Sequence, residues 1–174
     1  MKITPNQITV ARIIALPPAI WALYQEGTLW QLISWVIFFF IAMSDVVDGR
    51  LARSSGQITE MGKFLDPVAD KLMLASVMIP LSLQDRFPWW ATCAILFREL
   101  GITLFRALVI SGGVISANRG GKLKTLSQNL GMGWFVLPLP AWLDWFKYGW
   151  LYVAITLTYL TGYWYVRAWL EYRE

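Results

Sequence analysis

Long apolar runs without a single charged side chain dominate this chain. Three of them, each 18 or 19 residues long, cover residues 27–44, 125–143 and 148–166. A helix of about 20 apolar residues is long enough to cross the hydrocarbon core of a bilayer. Three more apolar segments are interrupted or bordered by charged residues, at about 7–25, 62–84 and 88–112. The pattern therefore predicts an all-α integral membrane protein with six transmembrane helices.

Turn-forming and charged residues set the predicted helix boundaries. Thr4 and Pro5 are typical of an N-cap and a first helical position, so the first helix is expected to begin there. The predicted fold includes a short N-terminal amphipathic segment. Residues 116–124 are predicted to be a polar connector before the fifth span, and residues 167–174 a charged tail. Since no repeat, low-complexity segment or linker interrupts the chain, residues 1–174 are predicted to form one domain.

Composition narrows the chemistry that this chain can perform. Of its residues 57% are hydrophobic, Cys93 is the single cysteine, and histidine does not occur. An internal disulfide is therefore excluded, as are the familiar zinc sites and catalysis by Ser-His or Cys-His pairs. A metal site must use oxygen ligands, which suit Mg²⁺ or Mn²⁺. The net charge of +4 is modest, and we expect no nucleic-acid partner.

The distribution of positive charge indicates how the chain lies in a membrane. One set of predicted loops, together with both termini, carries most of the lysine and arginine, whereas the other set carries only Arg86 and Lys147. Positively charged loops face the cytoplasm. The predicted location is therefore the cytoplasmic (inner) membrane, with both termini and the segment 45–70 on the cytoplasmic side.

Four aspartates near the ends of two predicted spans form the most informative motif. The spacing D-x2-D-G-x2-A-R-x8-G-x3-D-x3-D is filled by Asp45, Asp48, Gly49, Ala52, Arg53, Gly62, Asp66 and Asp70. Each aspartate pair falls on one helix face, and a short connection makes the two helices antiparallel neighbours. Four carboxylates that close would repel one another unless cations lay between them. We therefore predict a divalent-metal site that holds a diphosphate, with small residues leaving room for the ligand.

This motif resembles the signature of the CDP-alcohol phosphotransferase family, whose integral membrane enzymes have a core of six transmembrane helices and are usually homodimers. The resemblance implies transfer of a phosphoalcohol or phosphatidyl group from a CDP-linked donor to an alcohol, with release of CMP. It implies metal ligation by Asp45, Asp48, Asp66 and Asp70. Asp70 would also be the general base that takes the proton of the acceptor hydroxyl. The nucleotide site would be lined by Asp48, Gly49, Ala52 and Arg53, with Gly62 nearby.

Further cations favour an acceptor that is itself a phosphate ester. Arg98 falls inside the fourth predicted span, and a pair with Glu99 is not expected because adjacent helix positions do not face each other. The cations predicted to bind the acceptor phosphate are Arg98, Arg119, Lys122 and Lys124. A polar stripe expected to lie near the same site consists of Asn6, Thr9 and Arg12.

Four segments resemble the branch of the family that joins CDP-diacylglycerol to sn-glycerol 3-phosphate. They read P-N-x2-T-x2-R from residue 5, G-K-F-L-D-P-V-A-D-K from residue 62, F-R-E-L from residue 97 and G-K-x-K-T-x2-Q from residue 121. The implied products are phosphatidylglycerophosphate and CMP. In that reaction the acyl chains would stay in the lipid bilayer while the headgroup reaches the site.

Other interpretations stay open at this point. Within the family the acceptor could be phosphatidylglycerol, as in a cardiolipin synthase, or inositol phosphate, as in a phosphatidylinositol phosphate synthase. The connector cations could be ordinary positive-inside residues that contact anionic lipid, and the aspartates could cap helices or pair with Arg53, Lys63 and Lys71. A small cation transporter would place its carboxylates near the middle of the bilayer, whereas these lie at span ends. A structural membrane scaffold would leave the motif unexplained.

Overall fold

The structure is a computed structural model that describes the backbone of residues 5–55, 60–109 and 119–173, and the side chains of residues 7–44, 67–105, 121 and 123–171. Within these ranges the chain forms α-helices, one short 3₁₀ helix at Ala141–Leu143 and no strand. The prediction of an all-α protein is confirmed. The helices are α1 (Pro5–Leu23), α2 (Thr28–Ser55), α3 (Glu60–Leu83), α4 (Trp89–Val109), α5 (Arg119–Val136) and α6 (Asp144–Arg173).

The chain divides into two compact units. The first unit contains Met1–Arg86 and Phe135–Pro138, and the second contains Phe87–Trp134 and Leu139–Glu174. Each unit is built mainly from three helices, α1 to α3 in the first and α4 to α6 in the second. The assignment of residues 1–174 to one domain stays a prediction.

In the first unit, α1 packs against both α2 and α3. Ala19 and Ala22 on α1 are buried and small, which lets a neighbouring helix approach closely. The hydroxyl of Ser34 on α2 donates a 2.9 Å hydrogen bond to the Ala19 carbonyl, so this close approach also satisfies a buried polar group. Met78 and Leu81 on α3 are completely buried. This packing fixes α1, which carries Arg12, beside α3, which carries Asp70.

The turn that ends α3 is a Schellman motif with an aspartate where glycine is usual. The Arg86 amide donates to the Leu81 carbonyl at 2.9 Å, and the Asp85 amide donates to the Ser82 carbonyl at 3.1 Å. Asp85 has a φ of 55°, in the left-handed region that aspartate tolerates better than most residues. The last carbonyls of α3 are therefore satisfied within the turn itself.

The side chain of Arg86 extends from this turn to the end of α5. Its Nη2 donates to the carbonyls of Phe135 and Val136 at 3.3 and 3.2 Å, where the final turn of a helix leaves carbonyls without intrahelical partners. Desolvation lowers the pKa of Arg86 from its ordinary value. α5 ends at Val136, before the limit of the predicted span 125–143, because Pro138 disfavours a helical conformation in the residue that precedes it.

In the second unit, α6 contacts both α4 and α5. The Tyr159 hydroxyl on α6 donates to the Ala94 carbonyl on α4 at 3.1 Å. A Cβ placed on Gly131 of α5 would lie 3.1 Å from Cδ1 of Trp150, so the indole packs directly on the glycine. The Trp150 Nε1 also donates to the Ser127 carbonyl at 2.9 Å. These contacts bring polar groups of α4, α5 and α6 within reach of one another.

Two further helix boundaries differ from the predicted ones. α5 begins at Arg119 rather than after residue 124, so residues 119–124 of the predicted connector are helical. The reason is that Lys124 has a partner on α4, the buried carboxylate of Glu99, which makes this polar segment part of the packed unit. The charged tail is also helical, through Arg173, and an Arg167–Glu171 ion pair of 2.8 Å at i,i+4 supports it.

The length and the hydropathy of a helix decide whether it can cross a membrane. Among the residues described above, none of the helices is both long enough and apolar enough to cross a membrane. The six transmembrane crossings stay a prediction. The first helix begins at Pro5 as predicted and continues to Leu23, and the amphipathic character of the N-terminal segment stays a prediction.

Candidate functional site

The four aspartates of the motif lie on two helices. Asp45 and Asp48 belong to α2, and Asp66 and Asp70 belong to α3. Spacings of three and four residues keep the members of each pair on one face of their helix. Asp70 is the member of this set whose side chain the structure describes. The convergence of all four carboxylates on one point therefore stays a prediction.

Several other predicted site residues also lie outside the described side chains. Their backbone positions fall on α1, α2, α3 and α5, so each is placed on a helix, while their contacts remain predictions. These residues are Asn6, Gly49, Ala52, Arg53, Gly62, Arg119 and Lys122.

Asp70 forms an ion pair that joins α1 to α3. Arg12 Nη1 lies 3.5 Å from Asp70 Oδ1, which is long for a charge-assisted hydrogen bond. The two side chains differ sharply in exposure, with Arg12 5% exposed and Asp70 47% exposed. Thr9, one turn earlier on α1, is buried as well. The buried guanidinium thus orients the pair, and the carboxylate keeps a surface on which a hydroxyl group or a cation can bind.

The residue types of the motif fit a hard divalent cation. Carboxylate oxygens are the ligands that Mg²⁺ and Mn²⁺ prefer in proteins, and the half-exposed carboxylate of Asp70 is accessible to such an ion. Among the described side chains, no group of three or more Asp, Glu, His or Cys residues is close enough to hold a metal. Asp70 is therefore the predicted metal ligand whose side chain the structure describes. The other predicted ligands are Asp45, Asp48 and Asp66.

A second group of charged side chains, in the other unit, centres on Glu99. We call it the Glu99 cluster and define it as Arg98, Glu99, Lys124 and Gln128. Glu99 Oε1 accepts hydrogen bonds from Lys124 Nζ at 2.6 Å, Arg98 Nη1 at 3.0 Å and Gln128 Nε2 at 3.3 Å. The side chains of the three charged members are between 9 and 12% exposed. Two of the cations predicted to bind an acceptor phosphate are thus brought together on one carboxylate.

Arg98 pairs with its sequence neighbour, so the prediction that it would not is wrong. The Arg98 side chain lies along α6, where its Nη2 donates to Thr161 Oγ1 at 2.9 Å, and its Nη1 turns back to Glu99. Gly162 provides the space for this conformation, since a Cβ there would lie 3.1 Å from Arg98 Nε. Adjacent positions point to different sides of a helix. The long side chain of Arg98 nevertheless reaches Glu99, because Thr161 on α6 holds it in a suitable conformation.

Sequence reasoning missed Glu99 and Gln128 as members of a site. Gln128 Nε2 donates to Thr158 Oγ1 at 2.8 Å as well as to Glu99, which links α4, α5 and α6 through one amide. A usable signal was present in the sequence. A carboxylate inside an apolar span faces the interior and needs a partner, so Glu99 could have been predicted to pair with a cation on another helix.

Comparisons with known proteins agree with the motif. A family model described as CDP-alcohol phosphatidyltransferase matches residues 2–164. A protein of Mycobacterium tuberculosis (strain CDC 1551 / Oshkosh) named "Probable phosphatidylglycerophosphate synthase" is 43% identical over 164 residues, which are 92% of this chain and 78% of that protein. Two proteins named "CDP-diacylglycerol--glycerol-3-phosphate 3-phosphatidyltransferase" are also similar. The protein from Bacillus subtilis is 34% identical, and the matched region covers 91% of each chain. The protein from Rickettsia felis is 33% identical, and the matched region covers 98% of this chain and 97% of that protein.

Proposed function

The chain belongs to the CDP-alcohol phosphatidyltransferase family, and we propose that it transfers a phosphatidyl group from CDP-diacylglycerol to sn-glycerol 3-phosphate. The products are phosphatidylglycerophosphate and CMP. The observation that carries this proposal is the similarity, over more than nine tenths of the chain, to proteins named for that reaction at 33 to 43% identity. The chain is accordingly placed in the phosphatidylglycerophosphate synthase branch of the family.

The Arg12–Asp70 pair supports a role for Asp70 in the chemical step. We assign Asp70 the removal of the proton from the acceptor hydroxyl, which then attacks the phosphorus that carries the diacylglycerol. A general base must be accessible to the hydroxyl and held in a fixed orientation. The carboxylate of Asp70 is half-exposed, and the Arg12 guanidinium that contacts it is buried. Arg12 therefore orients the carboxylate without covering it.

The proposed cofactor is a divalent metal, Mg²⁺ or Mn²⁺, bound by Asp45, Asp48, Asp66 and Asp70. Bound there, the metal supplies Lewis-acid stabilisation of charge on the phosphate oxygens of the departing CMP. The proposed nucleotide-binding residues are Asp48, Gly49, Ala52, Arg53 and Gly62. The small residues among them permit close approach of a ligand to the backbone, and the arginine is suited to a phosphate.

The acceptor phosphate is proposed to bind to cations of α4 and α5. The described part of this set is Arg98 and Lys124, which share the carboxylate of Glu99. Arginine and lysine are the side chains that form strong charge-assisted hydrogen bonds with phosphate. Arg119 and Lys122 on the first turns of α5 complete the proposed set, and Asn6, Thr9 and Arg12 are proposed to lie near the acceptor.

We further propose that the enzyme works as a homodimer in the cytoplasmic membrane, with both termini and the site on the cytoplasmic side. The three charge-free runs of 18 or 19 residues support this location, as does the position of most cations on one set of loops. Exposed tryptophans support it as well, since this residue is enriched at membrane–water interfaces. Trp142 and Trp145 are 71 and 73% exposed.

The test is CMP release from CDP-diacylglycerol by the purified full chain with Mg²⁺ or Mn²⁺. Glycerol 3-phosphate, inositol phosphate and phosphatidylglycerol are supplied separately as acceptors. We expect turnover with glycerol 3-phosphate alone, and loss of that turnover when a chelator removes the metal. Asp70→Asn should lower the rate by about 10² to 10⁴-fold, which is the usual contribution of a general base. Asp85→Asn is the matched control, because Asp85 is an exposed aspartate in a turn.

Each other result has a definite meaning. Turnover with phosphatidylglycerol or inositol phosphate instead would move the chain to another branch and keep the assignment of Asp70. An Asp70→Asn enzyme with wild-type turnover would remove Asp70 from the chemical step. Folded protein that releases no CMP with any acceptor would contradict the proposed function.

A further inference from the structure

The hydroxyl of Thr161 on α6 is fixed as a hydrogen-bond acceptor for Arg98. A threonine hydroxyl has one proton to donate, and Thr161 gives it to its own helix, where the carbonyls of Leu157 and Thr158 lie at 2.7 and 3.0 Å. The lone pairs of Oγ1 are left to accept from Nη2 of Arg98, at 2.9 Å. Because a β-branched side chain has few rotamers in a helix, this acceptor has a fixed position relative to α6.

Gly162, the next residue of α6, lets the guanidinium of Arg98 lie against the helix. A Cβ placed on Gly162 would lie 3.1 Å from Nε and 3.4 Å from Nη2, but 3.6 Å from Cζ. Since the central carbon is the farthest of the three atoms, the Cβ position lies beside the edge of the guanidinium that carries Nε and Nη2. That edge therefore packs on the backbone of α6, and the Arg98 side chain is only 9% exposed.

Arg98 keeps donors for a further acceptor in this orientation. A guanidinium has five N–H groups, two of them on each terminal nitrogen. Among the described residues, Glu99 accepts from Nη1 and Thr161 accepts from Nη2, so each terminal nitrogen has a second N–H group. Arginine uses N–H groups on neighbouring nitrogens to bind a phosphate at two points. Thr161 thus holds the guanidinium without using all the donors that a phosphate needs.

We propose that Thr161 is a positioning residue for the acceptor, because it holds the guanidinium of Arg98 in the orientation that contacts the acceptor phosphate. The inference rests on the proposed function, since it takes Arg98 as a ligand of that phosphate. A mobile arginine would lose its rotamer freedom when the acceptor binds, and an arginine that is already held avoids this entropic cost. α6, which carries none of the residues predicted for the site, thereby contributes to acceptor binding.

The experiment compares Thr161→Val with wild type in the CMP-release assay, with the purified full chain in detergent and Mg²⁺. Valine has nearly the shape of threonine but accepts no hydrogen bond. We expect the KM for glycerol 3-phosphate to rise about two- to tenfold, the factor that corresponds to ordering one long side chain on binding. The kcat and the KM for CDP-diacylglycerol should stay within about twofold of wild type. Binding of inorganic phosphate, measured from its effect on thermal unfolding, should weaken by the same factor as the KM.

Two variants control for the loss of a hydroxyl group as such. Thr161→Ser keeps the acceptor and should restore the wild-type KM, which a purely steric role of the threonine would not allow. Thr103→Val removes a hydroxyl that also donates to its own helix, to the Glu99 carbonyl at 2.8 Å, and that is not among the described partners of Arg98. It should leave both KM values unchanged. Should Thr161→Val fail to fold, Thr161→Ala takes its place with the same expected rise in KM.

The dependence on Arg98 is tested by making the same substitution in an Arg98→Gln background. Glutamine is shorter than arginine and lacks Nη2, so Thr161→Val should then change the KM for glycerol 3-phosphate by less than about twofold, because residues that act through one contact are not additive. An equal rise in both backgrounds would overturn the proposal, as would an unchanged or lower KM in folded Thr161→Val protein. These results differ from failure of the proposed function, which appears as absence of CMP release by the wild type.

Discussion

The Arg12–Asp70 pair and the Glu99 cluster both place a carboxylate beside arginine or lysine, yet they are built in opposite ways. In the first, the cation is buried and the carboxylate is half-exposed, with 3.5 Å between Nη1 and Oδ1. In the second, the carboxylate is buried and accepts from two cations at 2.6 and 3.0 Å. The exposure of the carboxylate, rather than the presence of an ion pair, separates a group available for chemistry from one that holds other groups in place.

Removal of the buried carboxylate should have the largest effect on stability. Glu99→Ala leaves Arg98 and Lys124 buried without their shared anion, and loss of one partner of a buried pair costs about 3 to 5 kcal/mol. Denaturant unfolding in detergent, followed by near-ultraviolet circular dichroism, measures this change. Glu171→Ala, which removes an exposed carboxylate, should cause no measurable change. A loss for Glu99→Ala as small as that of the control would show that the cluster does not contribute to stability.

Removal of the buried cation at the other site should act mainly on the rate. Arg12→Met takes away the group that orients Asp70, and misplacement of a catalytic group by about 1 Å costs on the order of 10²-fold in rate. Single-turnover CMP release measures the effect. Arg12→Lys keeps the charge and loses the planar fork, so it should retain an intermediate rate. Equal rates for Arg12→Met and wild type would mean that Asp70 does not depend on Arg12 for its orientation.

A smaller change can be made to the Glu99 cluster through its packing. Gly162→Ala adds a methyl group 3.1 Å from Arg98 Nε, and Arg98 cannot move away without losing Thr161 or Glu99. We expect a loss of about 1 to 2 kcal/mol, because the cost of overpacking exceeds the gain in helix propensity. Gly149→Ala on the same helix meets nothing within 4 Å, so it should be neutral or slightly stabilising. Thermal unfolding of the two variants side by side tests the difference in sign.

The smallest effect should come from the turn after α3. Asp85→Gly relieves the left-handed conformation of Asp85, and part of that gain is offset by the greater flexibility of glycine when unfolded. We expect stabilisation by less than about 1 kcal/mol, with CMP release unchanged because Asp70 lies about four helical turns before Asp85. Gly27→Ala, at a φ of 102°, should have the opposite sign. A change in rate for Asp85→Gly would show that the orientation of Asp70 depends on the far end of its helix.

The features that sequence reasoning predicted correctly depend on neighbouring residues. Pro5 begins α1 as predicted, and the helix-start signal of Thr4 and Pro5 acts within one helical turn. The aspartate motif is equally local, since it is recognised from spacings of three and four residues. The all-α class and the family were therefore accessible from the chain alone.

The features that it did not predict depend on residues far apart in the sequence. The conformation of Arg98 is set by Thr161, 63 residues away, and by the absence of a side chain at Gly162. Arg12 and Asp70, which are 58 residues apart, were assigned to one region without a predicted contact. The start of α5 was misplaced because Lys124 finds its partner 25 residues earlier, on α4. The periodicity of a single helix carries no information on contacts between residues of different helices.

The hydrogen bonds of Arg86 also imply an order of events during synthesis on the ribosome. Arg86 precedes Phe135 by 49 residues, so at about 5 to 20 residues per second it is made roughly 2 to 10 s earlier. The turn around Asp85 needs only bonds between residues at most five apart, and none of these residues is translated after Arg86. Arg86 is therefore synthesised before the carbonyls of Phe135 and Val136 that its side chain binds. The last carbonyls of α5 then bind a donor that is already part of the chain.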